Sequence, residues 1–112
     1  MLKIYNTLSK KIEDFIPIDK SHIKIYVCGP TVYDKIHIGN ARPLVVFDTF
    51  VRLLKYKYPK VTYVRNITDV DDKINDRLLS ENITLKDLTN KTINDFQKDS
   101  ASLNNLNPDH EP

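Results

Sequence analysis

The sequence predicts an α/β fold with a short parallel sheet, and three consecutive patterns support that prediction. Residues 22–29 alternate apolar and polar side chains, as a half-buried strand does, and a glycine followed by a proline ends the run. Residues 40–58 place apolar side chains at helical spacing, and residues 60–70 alternate again. A strand, a helix and a strand within about fifty residues form a βαβ unit, whose parallel strands are joined by a right-handed crossover.

Local signals predict the structure of the residues before this unit and the two ends of its helix. Residues 2–8 alternate weakly and predict a short edge strand. In the central helix, Asn40 is expected to be the cap and Pro43 to lie in the first turn. Tyr58 and Pro59 are expected to end that helix, because the residue before a proline disfavours helical backbone.

The last third of the chain is predicted to be helical. Residues 71–82 indicate a short helix, and residues 85–104 indicate a longer one that Thr84 and Asp87 open as a capping pair. Apolar side chains are sparse in the longer helix, so we expect most of its surface to contact water. Residues 106–112 have the composition of a loop.

Composition limits the class of protein. The net charge of +2 over 112 residues is too small to indicate a nucleic-acid partner by itself. One cysteine excludes an internal disulfide and is typical of a reducing compartment. No apolar run reaches the length of a signal peptide or a membrane span, so we expect a cytoplasmic protein without a membrane partner.

Two polar clusters follow the two strands of the predicted βαβ unit. Both glycines and the one cysteine of the chain fall within residues 26–40, and residues 66–72 are polar as well. Glycine is needed where the backbone turns tightly or where a ligand must approach it closely. Ligands of open α/β sheets bind beyond the carboxyl ends of the strands, so the two clusters should meet at one edge of the sheet.

The run His37-Ile38-Gly39-Asn40 is a candidate phosphate site at the start of the central helix. Free N–H groups and a partial positive charge are available there, and His37 and Asn40 would add side-chain donors. The alternative is that Asn40 only caps the helix and His37 is a surface residue. Neither GxxxxGK[ST] nor GxGxxG occurs, which disfavours a conventional nucleoside triphosphatase or dinucleotide enzyme.

A complete metal site is not predicted from the residues alone. A thiol at the end of a strand, such as that of Cys28, is more often a small core residue than a metal ligand. Zinc typically takes four nitrogen or sulfur ligands, or three and an open position, and the histidines of this chain have no paired spacing. They are His22, His37 and His110.

The acidic cluster Asp69, Asp71 and Asp72 has two interpretations. Carboxylate oxygens suit Mg²⁺, so the cluster could bind a hard cation. We favour the alternative, in which these residues cap and charge the first turn of the following helix, where acidic side chains are stabilising.

Two long motifs taken together resemble the cysteinyl-tRNA synthetase family. They are YVCGPTVYDKIHIGNARPLVVFDTFVRLL and VTYVRNITDVDDKI, in that order and with the expected separation. HIGN alone would suit any nucleotidyl transferase of this Rossmann-like type, whereas CGPTVYD and YVRNITDVDDK narrow the choice to the cysteine-activating enzymes. The resemblance runs through essentially the whole chain. It implies a partial Rossmann-like parallel sheet with flanking helices, the first half of a class I aminoacyl-tRNA synthetase catalytic domain.

The family resemblance also implies an activity. In that family ATP and cysteine condense to cysteinyl adenylate and pyrophosphate, and the cysteine is then passed to tRNA(Cys). Mg²⁺ would accompany the ATP. By resemblance, His37 and Asn40 bind the ATP phosphates and stabilise the adenylation transition state. Gly39 would let the adenine moiety lie close to the backbone.

The amino-acid pocket is implied in the same way. Cys28 matches the first ligand of the family's zinc, which binds the substrate thiolate directly. Such a zinc would select cysteine over serine, because a soft thiolate ligates zinc far better than a hydroxyl does. Gly29, Thr31 and Thr68 match positions that line the pocket.

Several parts that the resemblance implies lie outside residues 1–112: the other zinc ligands, the second half-sheet, the KMSKS-type loop and the anticodon-binding helices. We therefore expect residues 1–112 to be an N-terminal portion of the catalytic domain, inactive alone, which a complementing chain could complete. Two alternatives stay open. One is the cysteine ligase of mycothiol synthesis, and the other is a non-catalytic remnant that binds a nucleotide or a partner.

Overall fold

The computed structural model describes all 112 residues, from Met1 to Pro112, and contains four strands and three helices. The elements in chain order are β1 (Lys3–Asn6), β2 (Lys11–Asp14), β3 (Ile23–Val27), α1 (Ile38–Lys57), β4 (Val61–Arg65), α2 (Asp72–Glu81) and α3 (Leu85–Ser102). None of the three helices combines the length and the apolar character that crossing a membrane requires.

The predicted βαβ unit is confirmed. Strands β3 and β4 pair in parallel, with Ile23 opposite Val61, and α1 connects them. The core lies between this sheet and α1, where Val27, Val51 and Tyr63 pack together and are almost inaccessible to solvent. The fold is therefore α/β, and α1 presents its apolar stripe to the sheet as the helical spacing predicts.

The weak alternation at residues 2–8 belongs to one arm of an antiparallel hairpin. Strand β1 pairs with β2, and the turn between them places Lys10 at a φ of 57°, in the left-handed region. The second arm was not predicted. Its four residues are too few for a clear period, and Ile12 is largely exposed, so neither length nor burial marks it in the sequence.

Helix α1 begins earlier than predicted, and the assignment of Asn40 as its cap is wrong. The N-cap is His37, the helix starts at Ile38, and Asn40 is the third helical residue. Pro43 consequently lies in the second turn, where its missing N–H leaves the carbonyl of Gly39 without its usual intrahelical donor. The predicted end at Tyr58 is confirmed.

Residues 106–112 are not a free loop. Val64 and His110 form a parallel bridge, and the Arg65 N–H donates to the His110 carbonyl at 3.1 Å. The Ile67 N–H donates to the Pro112 carbonyl at 2.7 Å. The chain end therefore lies beside β4 and satisfies backbone groups on the edge of that strand that faces away from β3.

Helices α2 and α3 match their predicted positions, and their caps explain where they begin. The Asp71 carboxylate accepts from the Lys73 N–H at 2.9 Å, which makes Asp71 the N-cap of α2. The Thr84 hydroxyl accepts from the Asp87 N–H at 3.2 Å, as the predicted capping pair requires. Asp71 as the N-cap and Asp72 in the first turn of α2 support the capping interpretation of the acidic cluster.

Candidate functional site

The loops that follow β3 and β4 meet at one edge of the sheet, as the sequence predicts. The Gly29 N–H donates to the side-chain oxygen of Asn66 at 2.7 Å. Thr31 and Thr68 form a parallel bridge, in which the Val32 N–H donates to the Thr68 carbonyl at 3.0 Å. The two loops are therefore joined by backbone and side-chain hydrogen bonds.

Gly29 is required by the closeness of these loops. A Cβ atom built at this position would lie 1.7 Å from the backbone oxygen of Asn66, a distance that no side chain can occupy. Side-chain patterns in the sequence do not indicate this contact of Asn66. The one signal that could have indicated it is the glycine at position 29, because glycine permits another loop to approach the backbone closely.

The start of α1 is a capping box made by His37 and Asn40. The His37 Nδ1 accepts from the Gly39 N–H at 3.1 Å, and the Asn40 side-chain oxygen accepts from the His37 N–H at 3.1 Å. A Cβ at Gly39 would lie 2.9 Å from the Cε1 of His37. Glycine therefore leaves room for the imidazole to fold over the helix start.

This capping box determines which atoms remain available to a ligand. Because Nδ1 of His37 accepts a hydrogen bond, the neutral ring carries its proton on Nε2. The Asn40 side chain uses its oxygen inside the box, which leaves its amide NH₂ as a donor. Each side chain thus uses its acceptor inside the capping box and keeps a donor for a ligand. These donors lie at a helix N-terminus, which already favours anions.

A cleft of about 100 Å³ lies beside this helix start. Its lining includes Cys28, Gly29, Gly39 and Asn40, so four of the predicted site residues come together. The other lining residues are Val27, Pro30, Pro43 and Leu44. His37 does not line the cleft, and the Thr31–Thr68 bridge lies just outside its lining.

The described residues do not form a metal site. Cys28 is exposed, so the alternative of a buried core thiol is wrong. No group of three or more His, Cys, Asp or Glu side chains is placed to hold a metal ion. His22 is engaged instead with the Thr62 hydroxyl at 2.8 Å. Because zinc needs at least three protein ligands, the donors present do not by themselves fit that ion.

The segment between Thr31 and His37 is held by contacts that the sequence analysis missed. The hydroxyl of Thr92 in α3 lies 2.9 Å from the Val32 carbonyl. The Arg77 guanidinium in α2 forms an ion pair with Asp34 at 2.8 Å. The Lys35 N–H and, after it, the Arg77 guanidinium hold the pKa of the Asp34 carboxyl below its usual value.

Comparison with known proteins agrees with this geometry. The family model described as "tRNA synthetases class I (C) catalytic domain" matches residues 14–112. This chain belongs to that family. The resemblance stated from the two long motifs is confirmed, and so is the α/β fold with a short parallel sheet.

Individual relatives of this class I (C) synthetase chain carry the name cysteine–tRNA ligase. The protein from Wolbachia pipientis subsp. Culex pipiens (strain wPip) is 55% identical over 112 residues, which is 100% of this chain and 24% of the relative. The protein from Granulibacter bethesdensis is 57% identical over 109 residues, covering 97% and 23%. The protein from Rhodospirillum rubrum is 55% identical over 111 residues, covering 99% and 24%. The chain thus spans about a quarter of the length of the curated relatives it matches.

Proposed function

We propose that this chain supplies the ATP-binding signature and part of the cysteine pocket of a cysteine–tRNA ligase. The complete activity condenses cysteine with ATP to cysteinyl adenylate and transfers the cysteine to tRNA(Cys). The observation that supports the proposal best is the His37–Asn40 capping box, which leaves two side-chain donors at a helix N-terminus beside a cleft. The cysteine–tRNA ligases from three bacteria, which match the whole or nearly the whole chain, support the choice of substrate.

Adenylation is the step in which His37 and Asn40 would act. The carboxylate of cysteine attacks the α-phosphorus of ATP, a new P–O bond forms, and the bond to pyrophosphate breaks. Negative charge builds on the phosphate oxygens during this step. The His37 Nε2–H and the Asn40 NH₂ would stabilise that charge, together with the positive end of α1. Mg²⁺ would accompany ATP as its counterion.

The amino-acid pocket is proposed from the same edge of the sheet. Gly29, Thr31 and Thr68 would line it, and Cys28 would be one ligand of a zinc ion that recognises the substrate thiolate. Residues 1–112 supply only this one proposed zinc ligand, so the others would come from further polypeptide or from a complementing chain.

Binding of a nonhydrolysable cysteinyl adenylate analogue, followed by NMR, tests the proposal directly. Saturable binding should shift the amide signals of Gly39 and Asn40. His37→Ser keeps a capping acceptor but removes the ring donor, and we expect its affinity to fall about tenfold or more, since bonds to charged groups contribute about 1.5–3 kcal/mol. Asn107→Ala, a change at an exposed position outside the cleft, should bind like the wild type. Absence of saturable binding, or an unchanged affinity in His37→Ser, would overturn the proposal.

Catalysis is tested separately from binding. The 112-residue chain alone should show no cysteine-dependent ATP–pyrophosphate exchange, and robust exchange would contradict the expectation that it is inactive alone. Once completed by the missing parts, it should transfer cysteine to tRNA. Transfer to an amino-sugar instead would identify the mycothiol ligase alternative. Saturable ATP binding without turnover in the completed protein would identify a non-catalytic binding module.

A further inference from the structure

Helix α2 contacts the segment that leads into the candidate ATP site through two cationic side chains one helical turn apart. The Lys73 ammonium lies 5.3 Å from the centre of the Tyr33 ring. The Arg77 Nη1 lies 2.8 Å from the Asp34 carboxylate, and its Nε lies 2.8 Å from Glu81 of its own helix. Consecutive residues of the segment are thus held by residues four apart on one face of α2.

Asp34 occupies the middle of the segment between two fixed points. At one end, Val32 is buried and its N–H and carbonyl contact Thr68 and Thr92. At the other end, His37 opens the capping box of α1. Each residue has few allowed backbone conformations. A contact that orders the middle of this short segment therefore also restricts the backbone where it reaches His37.

The chemistry of the Asp34–Arg77 contact suits a positioning role. Arg77 is oriented by Glu81 through its Nε, so one Nη group is presented to Asp34. The Asp34 carboxylate in turn accepts from the Lys35 N–H at 2.7 Å, so the same side chain also holds the backbone of the next residue. The contact is expected to matter more for local geometry than for overall stability, to which an exposed ion pair contributes only a small part.

We propose that Arg77 is a positioning residue for the ATP site: through Asp34 it holds the backbone from which His37 enters the capping box. The consequence for ATP rests on the proposed function above, whereas the consequence for the capping box does not. Arg77 itself does not reach the reacting atoms in this proposal.

Amide hydrogen exchange measured by NMR tests the positioning directly. Arg77→Gln and Asp34→Asn should each speed exchange of the His37 and Gly39 amides by a factor of about 2 to 5, as expected for loss of one exposed ion pair. The double variant should be no faster than either single variant, because both remove the same contact. Exchange of the Tyr63 amide in β4 should stay unchanged.

Glu81→Gln serves as a milder comparison, because it removes the charge of the other Arg77 partner, keeps an oxygen that can accept from Nε and leaves Asp34 in place. Its exchange rates at His37 and Gly39 should stay closer to wild type than those of Arg77→Gln. Unchanged exchange in Arg77→Gln would overturn the inference, as would additive effects in the double variant or equal acceleration at Tyr63.

ATP titration separates this inference from the proposed function. If wild-type protein binds ATP, Arg77→Gln and Asp34→Asn should weaken binding by a similar factor of about 2 to 5, again without additivity. Unchanged ATP affinity in these variants would overturn the link between Arg77 and the site. Failure of the wild type to bind ATP would count against the proposed function, while the exchange rates would still decide whether Arg77 positions the capping box.

Discussion

The two glycines of the chain have different neighbours, and a methyl group added to each has different consequences. At Gly29 it would meet the backbone oxygen of Asn66, which cannot move without shifting the loop after β4. At Gly39 it would meet the imidazole of His37, whose side chain can rotate away. The first glycine therefore preserves the fold, and the second preserves the position of a side chain.

Gly29→Ala and Gly39→Ala should consequently separate stability from site geometry. We expect Gly29→Ala to lower the free energy of unfolding by about 2–3 kcal/mol, as overpacking against fixed atoms does. In Gly39→Ala, a gain in helix propensity of about 1 kcal/mol offsets the steric cost, so stability should change little. Urea denaturation measures both effects, and the NMR signal of the His37 ring should move only in Gly39→Ala. A stability loss at Gly39 as large as that at Gly29 would contradict this account.

The Asp34 carboxyl should contribute a pH-dependent part of stability. Its pKa in the folded protein lies below the unfolded value of about 3.9, so its stabilisation is present above that value and is lost as the pH falls through the lower folded pKa. Urea midpoints measured from about pH 5 downward should therefore fall less steeply for Asp34→Asn than for wild type. Identical slopes for the two proteins would show that the contact is not maintained in solution.

Among the contacts between elements, those that join the chain end to β4 involve the most deeply buried charge. Arg65 is almost fully buried, and its Nη2 lies 2.6 Å from the Glu111 carboxylate while its guanidinium stacks 5.0 Å from the Phe96 ring centre. The side-chain oxygen of Asp109 also accepts from the Tyr63 N–H at 2.7 Å. Strand β4, α3 and the chain end are thus joined around one buried cation.

Glu111→Gln should therefore be costly, because it leaves a buried guanidinium without its counter-charge. We expect a loss of about 3 kcal/mol in the free energy of unfolding, in the range measured when one partner of a buried pair is removed. The same change at exposed Glu81, which also pairs with an arginine, should cost about 1 kcal/mol or less. Urea denaturation of the two variants compares them, and equal losses would show that the chain end is not packed in solution.

The whole molecule is elongated and has a small core. Its extents are 53 × 28 × 23 Å and its radius of gyration is 16.5 Å, whereas a compact domain of this length has a radius near about 13 Å. Only 15 of 112 residues are buried. On α1, Val45 and Val46 remain exposed although the pattern of the helix is apolar, because the sheet covers only one of its faces.

Low stability should follow from this shape. We expect a free energy of unfolding of about 5 kcal/mol or less, at the lower end for natural domains, since little apolar surface is removed from water. Urea denaturation gives this value, and small-angle X-ray scattering should return a radius of gyration close to 16.5 Å. A stability above about 10 kcal/mol would be inconsistent with so small a core.

Local patterns in the sequence were sufficient for most of the elements and for the family. Strands β3 and β4 and the three helices follow from side-chain periods and capping residues, all of which involve residues within a few positions of each other. The two long motifs predicted the synthetase family, and the family model and relatives confirm it. The roles of His37, Asn40 and Cys28, and the placement of residues 1–112 in a longer catalytic domain, stay predictions.

The tertiary structure alone decided the contacts between distant residues. It shows that His37, and not Asn40, caps α1. It also places the chain end beside β4 and leaves Cys28 exposed at a cleft. It also brought Asn66 against Gly29 and Arg77 against Asp34. These outcomes depend on which loops meet when the elements pack, and side-chain periodicity carries no information about partners tens of residues away.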